Sequence, residues 1–170
     1  LVESAHKNGL KAYVTVSLEL PILISSSQPK DIEALPDAKN ELLAEAGLAM
    51  PTFDQSKIDP SWLQMPNPDI GGNANYFCPV NPEVRENLYN QIETLIDDYK
   101  VDGIVLYKIG FQDESYCYCN ICKEKFYQDT GIDITKVNAN SYNQERWNQW
   151  KQGQIESIVD EARNISTDLG

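Results

Sequence analysis

Histidine occurs once in the 170 residues, at position 6. No G-x-S-x-G elbow accompanies it, which leaves almost no room for a Ser-His-Asp hydrolase triad. Glycine-rich phosphate loops are missing as well. Basic residues are scarce: 14 Lys and Arg stand against 26 Asp and Glu, a net charge of −12. Such a charge repels nucleic acid and anionic membrane, so neither is expected as a partner. Long apolar runs are also absent. The longest, 18–24, carries Glu19 and Pro21, and a membrane span needs about 20 apolar residues. No secretory leader, internal repeat or low-complexity tract is visible. Extracellular and cytoplasmic settings are equally open. What remains is a globular mixture, 41% hydrophobic and 24% charged, of a length that suits one domain. The chain opens inside one helical pattern and closes on another, as expected of a segment of a longer protein.

The elements follow from pattern. Residues 1–9 read as helix turns stopped by Gly9. Residues 10–18, LKAYVTVSL, are rich in β-branched and apolar side chains and read as a buried strand. From 19 to 75 periodicity dissolves, and seven of the nine prolines fall there. One short helix, 37–46, is expected inside that stretch, which otherwise reads as a mobile cover over the strand ends. Asn81 and Pro82 form a helix start, and Val84, Leu88, Ile92, Leu95, Ile96 and Tyr99 recur at helical spacing. VDGIVLYKI at 101–109 reads as a second strand. A short helix is expected over 119–129 and a long amphipathic one over about 144–164, with Trp147, Trp150, Ile155, Ile158, Val159 and Ala162 on its apolar side. A helix, a tight loop and an apolar strand occur twice in that order. The fold class expected is α/β: a partial or derived (β/α)₈ barrel, with all 170 residues in one domain.

The four cysteines form a pattern. Cys117, Cys119 and Cys122 make C-x-C-x₂-C, and Cys78 lies on the neighbouring connection. Four thiolates suit a closed tetrahedral zinc site, structural because no coordination position stays open. Two disulfides are the competing arrangement, with three pairings available, although a C-x-C pair is too close to bridge itself comfortably. Four unlinked thiols are the third.

These residues belong to a longer ordered series: C-P-x-N-P-E-x-R at 78–85, D-G-I at 102–104, C-Y-C-x-x-C-x-x-x-F at 117–126 and W-x-x-W-K at 147–151. The series resembles a stretch of the family 42 β-galactosidases among the glycoside hydrolases, and still more the glycoside-hydrolase-like and fucosidase-related barrels. The resemblance covers about half the chain. It implies a zinc ion on Cys78, Cys117, Cys119 and Cys122, and a carbohydrate as the partner.

The resemblance also exposes a departure. In those relatives the strand after D-G-[IV] ends in an acid, whereas here Tyr107 takes that place and Lys108 follows. Glycosidases flank the scissile bond with two carboxylates about 5–9.5 Å apart, so one of the pair is missing. Glu19, directly after the first strand, and Asp113 and Glu114, in the loop after the second, are the candidate catalytic acids. Tyr107 and Lys108 are candidate substrate-binding residues, the lysine suited to an acidic sugar. Two functions follow: hydrolysis of glycosidic bonds by an atypical or lapsed site, or non-catalytic binding of a glycan or a partner protein on the same scaffold.

Overall fold

Two short apolar runs become the strands. In the computed structural model, which describes residues 1–19, 58–136 and 142–169, β1 (Tyr13–Ser17) pairs in parallel with β2 (Gly103–Tyr107). Tyr13 lies opposite Gly103, and Ser17 opposite Tyr107. Side chains alternate along each strand. Val16 and Leu18 are buried and Ile104 and Leu106 partly so on one face, while Tyr13, Val105 and Tyr107 are 61%, 46% and 53% exposed on the other.

A helix precedes each strand. The first, α1 (Val2–Lys7), ends where Gly9 takes φ +70°. The second, α2 (Pro82–Asp97), is capped by Asn81, whose side chain accepts from the Glu83 and Val84 amides at 2.9 and 3.4 Å. Asp102 ties the two units together. Its carboxylate accepts from the Ala12 amide at 2.7 Å and from His6 Nε2 at 2.8 Å. Chiefly the Ala12 bond, then the His6 bond, holds its pKa below the ordinary value. A depressed carboxyl contributes stability above the unfolded-state pKa, near 4, and loses it as pH falls through the folded value. The gap in melting temperature between wild type and Asp102→Asn should therefore be full at pH 6 and shrink below about pH 4; a gap independent of pH would contradict this.

Two cores lie side by side. In one, Val16 and Leu18 meet Val84, Leu88 and Ile92 of α2 and Ile158 and Ala162 of the long α4 (Tyr142–Leu169). In the other, the four cysteines pack with Val80, Tyr116, Ile134, Trp147 and Phe126, the last on α3 (Asn120–Thr130). Helix α4 serves both: Trp147 and Ile158 are 11 residues, about 16 Å, apart along it.

The structure corrects the expected (β/α)₈ barrel. Among the described residues the sheet has two strands of five residues, and one of its faces is exposed. A closed barrel needs eight tilted strands and about 250 residues. The repeated helix–loop–strand order is a local signature, and it does not count strands. Residues 58–75 also differ from the irregular cover that their composition suggests. Isolated antiparallel bridges join Leu63 to Phe77, Pro66 to Tyr116 and Glu19 to Tyr76. The expected helix at 37–46 and the rest of 20–57 lie outside the described residues.

Gly72 is a tight point in this lacing. Its φ is +132°, and a Cβ there would lie 2.6 Å from the Tyr116 hydroxyl, which itself donates to the Asn73 carbonyl at 3.0 Å. Gly72→Ala should cost about 1–3 kcal/mol, read as a lower unfolding midpoint in urea. An unchanged midpoint would show that this loop adds nothing to the core beside it.

Candidate metal centre

Each cysteine is placed by a different local device. Cys78 precedes the α2 cap, with its amide donating to the Trp62 carbonyl at 2.6 Å and its carbonyl accepting from the Asn81 amide at 3.1 Å. The rest of C-P-x-N-P-E-x-R has a structural reading. Asn81 caps α2, Glu83 accepts from Trp62 Nε1 at 2.6 Å, and Arg85 donates from Nε to the Pro79 carbonyl at 2.6 Å. The Arg85 guanidinium also reaches the Gln154 carbonyl and the Ser157 hydroxyl on α4, at 3.1 and 3.0 Å. Cys119 is the N-cap of α3, and its Sγ accepts from the Cys122 amide at 3.4 Å. Cys117 Sγ accepts from the Met65 amide at 3.2 Å. Both amides point at sulfur, and the α3 amino terminus favours a thiolate there.

The four Sγ atoms lie within 4.8 Å of one another. Cys78 Sγ is 3.5 Å from Cys122 Sγ and 3.7 Å from Cys119 Sγ. None is in a disulfide, whose sulfurs sit about 2.05 Å apart. A tetrahedral ion with metal–sulfur bonds of about 2.3 Å spaces its ligands roughly 3.8 Å apart. The donor set therefore fits a metal ion, and all four side chains are buried. Without a cation the cluster cannot hold four negative charges. Hydrogen bonds from its three neighbours hold the Cys119 thiol far below its ordinary pKa, whereas hydrogen bonding to Cys117 and Cys119 drives Cys122 far above. A divalent ion removes the need for the remaining protons.

Two further side chains hold the site, and the sequence reading gave neither a role. Gln64 is 1% exposed. Its amide nitrogen donates to the Phe77 and Gly110 carbonyls at 3.1 and 2.8 Å, and its oxygen accepts from the Gln112 amide at 2.9 Å. It thus joins three loops one residue from Met65. Lys151 on α4 is 5% exposed, and its Nζ donates to the carbonyls of Glu114 and Tyr116 at 2.8 and 2.7 Å. Burial pushes its pKa down to about 8. A lysine four residues after Trp147 lies on that tryptophan's helix face, which is the signal that could have found it.

The other candidate residues separate into two places. At the strand ends Lys108 Nζ lies 2.7 Å from each oxygen of the Glu19 carboxylate and 5.3 Å from the Tyr107 ring centre. The Glu19 hydrogen bond raises the Lys108 pKa. Lys108 also takes φ +50°, a left-handed conformation that costs a non-glycine residue energy and tends to mark functional sites. Asp113 and Glu114 line an open cleft of about 410 Å³ against α4, with Phe111, Asn148, Lys151 and Gln152. Asp113 Oδ1 already accepts from the Ser115 amide and hydroxyl, at 2.7 and 2.5 Å. Glu19 is not among the residues lining that cleft.

No protein-family profile matches the chain, and no curated protein matches it. Among solved structures, the β-galactosidase from Bacillus circulans sp. alkalophilus aligns with a TM-score of 0.47 at 13% identity, over 99% of this chain and 32% of that one. The chain thus spans about a third of that protein's length. A likeness this loose supports no assignment of fold or activity.

Proposed function

We propose that this chain is a zinc-stapled, carbohydrate-binding domain related to glycoside hydrolases, with its hydrolytic site lapsed. The observation that carries the reading is the convergence of four buried Sγ atoms within 4.8 Å, close enough for one tetrahedral ion to draw them together. The same cysteines sit in the motif series that resembles the glycoside hydrolases. The lapse rests on chemistry at the strand ends. Tyr107 replaces the expected acid, and Glu19 has both oxygens neutralised by Lys108. A phenol with a reference pKa near 10 is a poor nucleophile without a base beside it. Tyr107, half exposed, offers an aromatic face to a sugar ring, and the Lys108–Glu19 ion pair beside it offers a donor and an acceptor to sugar hydroxyls.

The tests separate these parts. Elemental analysis should give one zinc per chain; metal-free protein with two disulfides by mass spectrometry overturns the staple. The zinc-loaded chain should turn over no aryl glycoside, yet bind glycans in calorimetry with affinity lost on Lys108→Ala. Tyr107→Asp should gain hydrolysis. Turnover by the unmodified chain that Glu19→Gln abolishes would make it an enzyme instead.

A further inference from the structure

Lys151 is a buried cation with no ion pair among the described residues; Glu114 and Asp113, which line the adjacent cleft, act on it only at longer range. Its side chain leaves the middle of α4 and ends among the Phe111 and Trp147 rings, 5.4 and 5.9 Å from their centres. Two carbonyls accept hydrogen bonds from its Nζ. No carboxylate among the described residues lies within ion-pair distance of it. That is unusual, because lysine is almost never fully buried unless a charge partners it. Carbonyl dipoles, aromatic faces and the more distant Glu114 and Asp113 carboxylates offset part of the desolvation, and no direct counter-ion completes it among the described residues.

The charge lies in the same core as the cysteines. Tyr116, whose carbonyl accepts from Lys151, is bonded directly to Cys117, and Trp147 packs in the cysteine core. A divalent ion with four thiolates carries a formal charge of −2, and burying that dianion needs compensation as well. The Met65 and Cys122 amides supply hydrogen bonds to sulfur, but no net charge. Each of the two groups is costly alone, and each offsets the other.

We infer that Lys151 is the built-in counter-charge of the metal centre as well as the clamp on the loop that carries Cys117. It is a positioning residue for the ion, not a ligand. The inference rests on the metal reading above. Where the outer partners of a bound metal are removed, affinity typically falls about 10–100-fold.

Lys151→Gln separates charge from clamping, since its amide keeps a donor for the carbonyls. The experiment uses the full chain, cobalt(II) and zinc(II), a chromophoric chelator as competitor, and urea unfolding of the metal-free forms. Wild type should bind one ion with an intense sulfur-to-cobalt charge-transfer band. Lys151→Gln should bind about 10–100-fold more weakly with the same band. Its metal-free form should be at least as stable as the wild type, because a buried charge with no direct ion-pair partner among the described residues is gone. Lys151→Arg should recover part of the affinity. Wild-type affinity in the Gln variant overturns the counter-charge, and so does a loss of affinity that only tracks lower metal-free stability. Failure of the wild type to bind either ion overturns the metal reading and the inference with it.

Discussion

With the proposed zinc ion bound, its removal by a strong chelator should unfold one half of this molecule and leave the other standing. The cysteine core holds the four proposed ligands, and its other buried members are Val80, Tyr116, Phe126, Ile134 and Trp147. Without the ion those ligands cannot all stay deprotonated, and binding free energy is folding free energy at such sites. The second core contains no ligand: Val16, Leu18, Val84, Leu88, Ile92, Ile158 and Ala162 pack by apolar contact alone. Several kcal/mol are at stake, and at this chain length 1 kcal/mol moves the melting temperature by about 2–4 °C, so a fall of roughly 10 °C or more is expected. Hydrogen exchange should quicken sharply in 111–134 and stay slow at Leu88 and Ile92. Cys78→Ser should give the same pattern without chelator, because Cys78 is the ligand that brings the α2 connection to the site. Unchanged exchange in both segments after verified metal loss would show that the cysteines pack as an ordinary apolar core.

Much of this was legible because the responsible signals are short-range. Asn81 and Pro82 start α2 where capping chemistry puts them, and the apolar runs at 10–18 and 101–109 contain the shorter strands 13–17 and 103–107, which pair in parallel as two helix–strand units should. The C-x-C-x₂-C spacing, with Cys78 one connection away, pointed to four cysteines that the structure brings together and that could hold a metal ion. Other features depend on partners distant in sequence. Gln64 reads as one polar residue in a loop, and only three backbone groups from elsewhere make it a hub. Lys151 reads as a solvated lysine in W-x-x-W-K until α4 is laid against the 114–116 loop. Residues 58–77 have no hydrophobic period because side-chain amides and isolated bridges satisfy their backbone. The barrel failed for a related reason: a helix–strand repeat fixes the hand and direction of neighbouring strands, while their number is a global property. Glu19 was found as a carboxylate at a strand end, but its neutralisation depends on Lys108, 89 residues away.

Trp147→Ala should be among the most destabilising single changes in the chain. Trp147 is fully buried. Its ring stacks on Trp150 at 5.1 Å with an interplanar angle of 16°, meets Phe126 edge-on at 4.9 Å, and lies 5.6 Å from Tyr118. Truncating a buried tryptophan costs about 3–5 kcal/mol, because lost burial and an unfilled cavity add. Aromatic pairs of this geometry add about 0.5–1.5 kcal/mol each. Against the roughly 5–15 kcal/mol that holds a typical domain, the loss is a large fraction. It should also reach the metal, since Tyr118 lies between two ligands and Lys151 loses one of the rings that cover it. Trp147→Phe should recover about half of the loss, because it restores an aromatic ring with less volume. Trp150→Ala is the internal control: Trp150 is only partly buried, and its Nε1 donates to Asp129 at 2.8 Å, so its cost should be smaller. Urea unfolding of the zinc-loaded proteins checks the order. Equal midpoints for Trp147→Ala and Trp150→Ala would mean that the cysteine core is held by its metal and not by its aromatic packing.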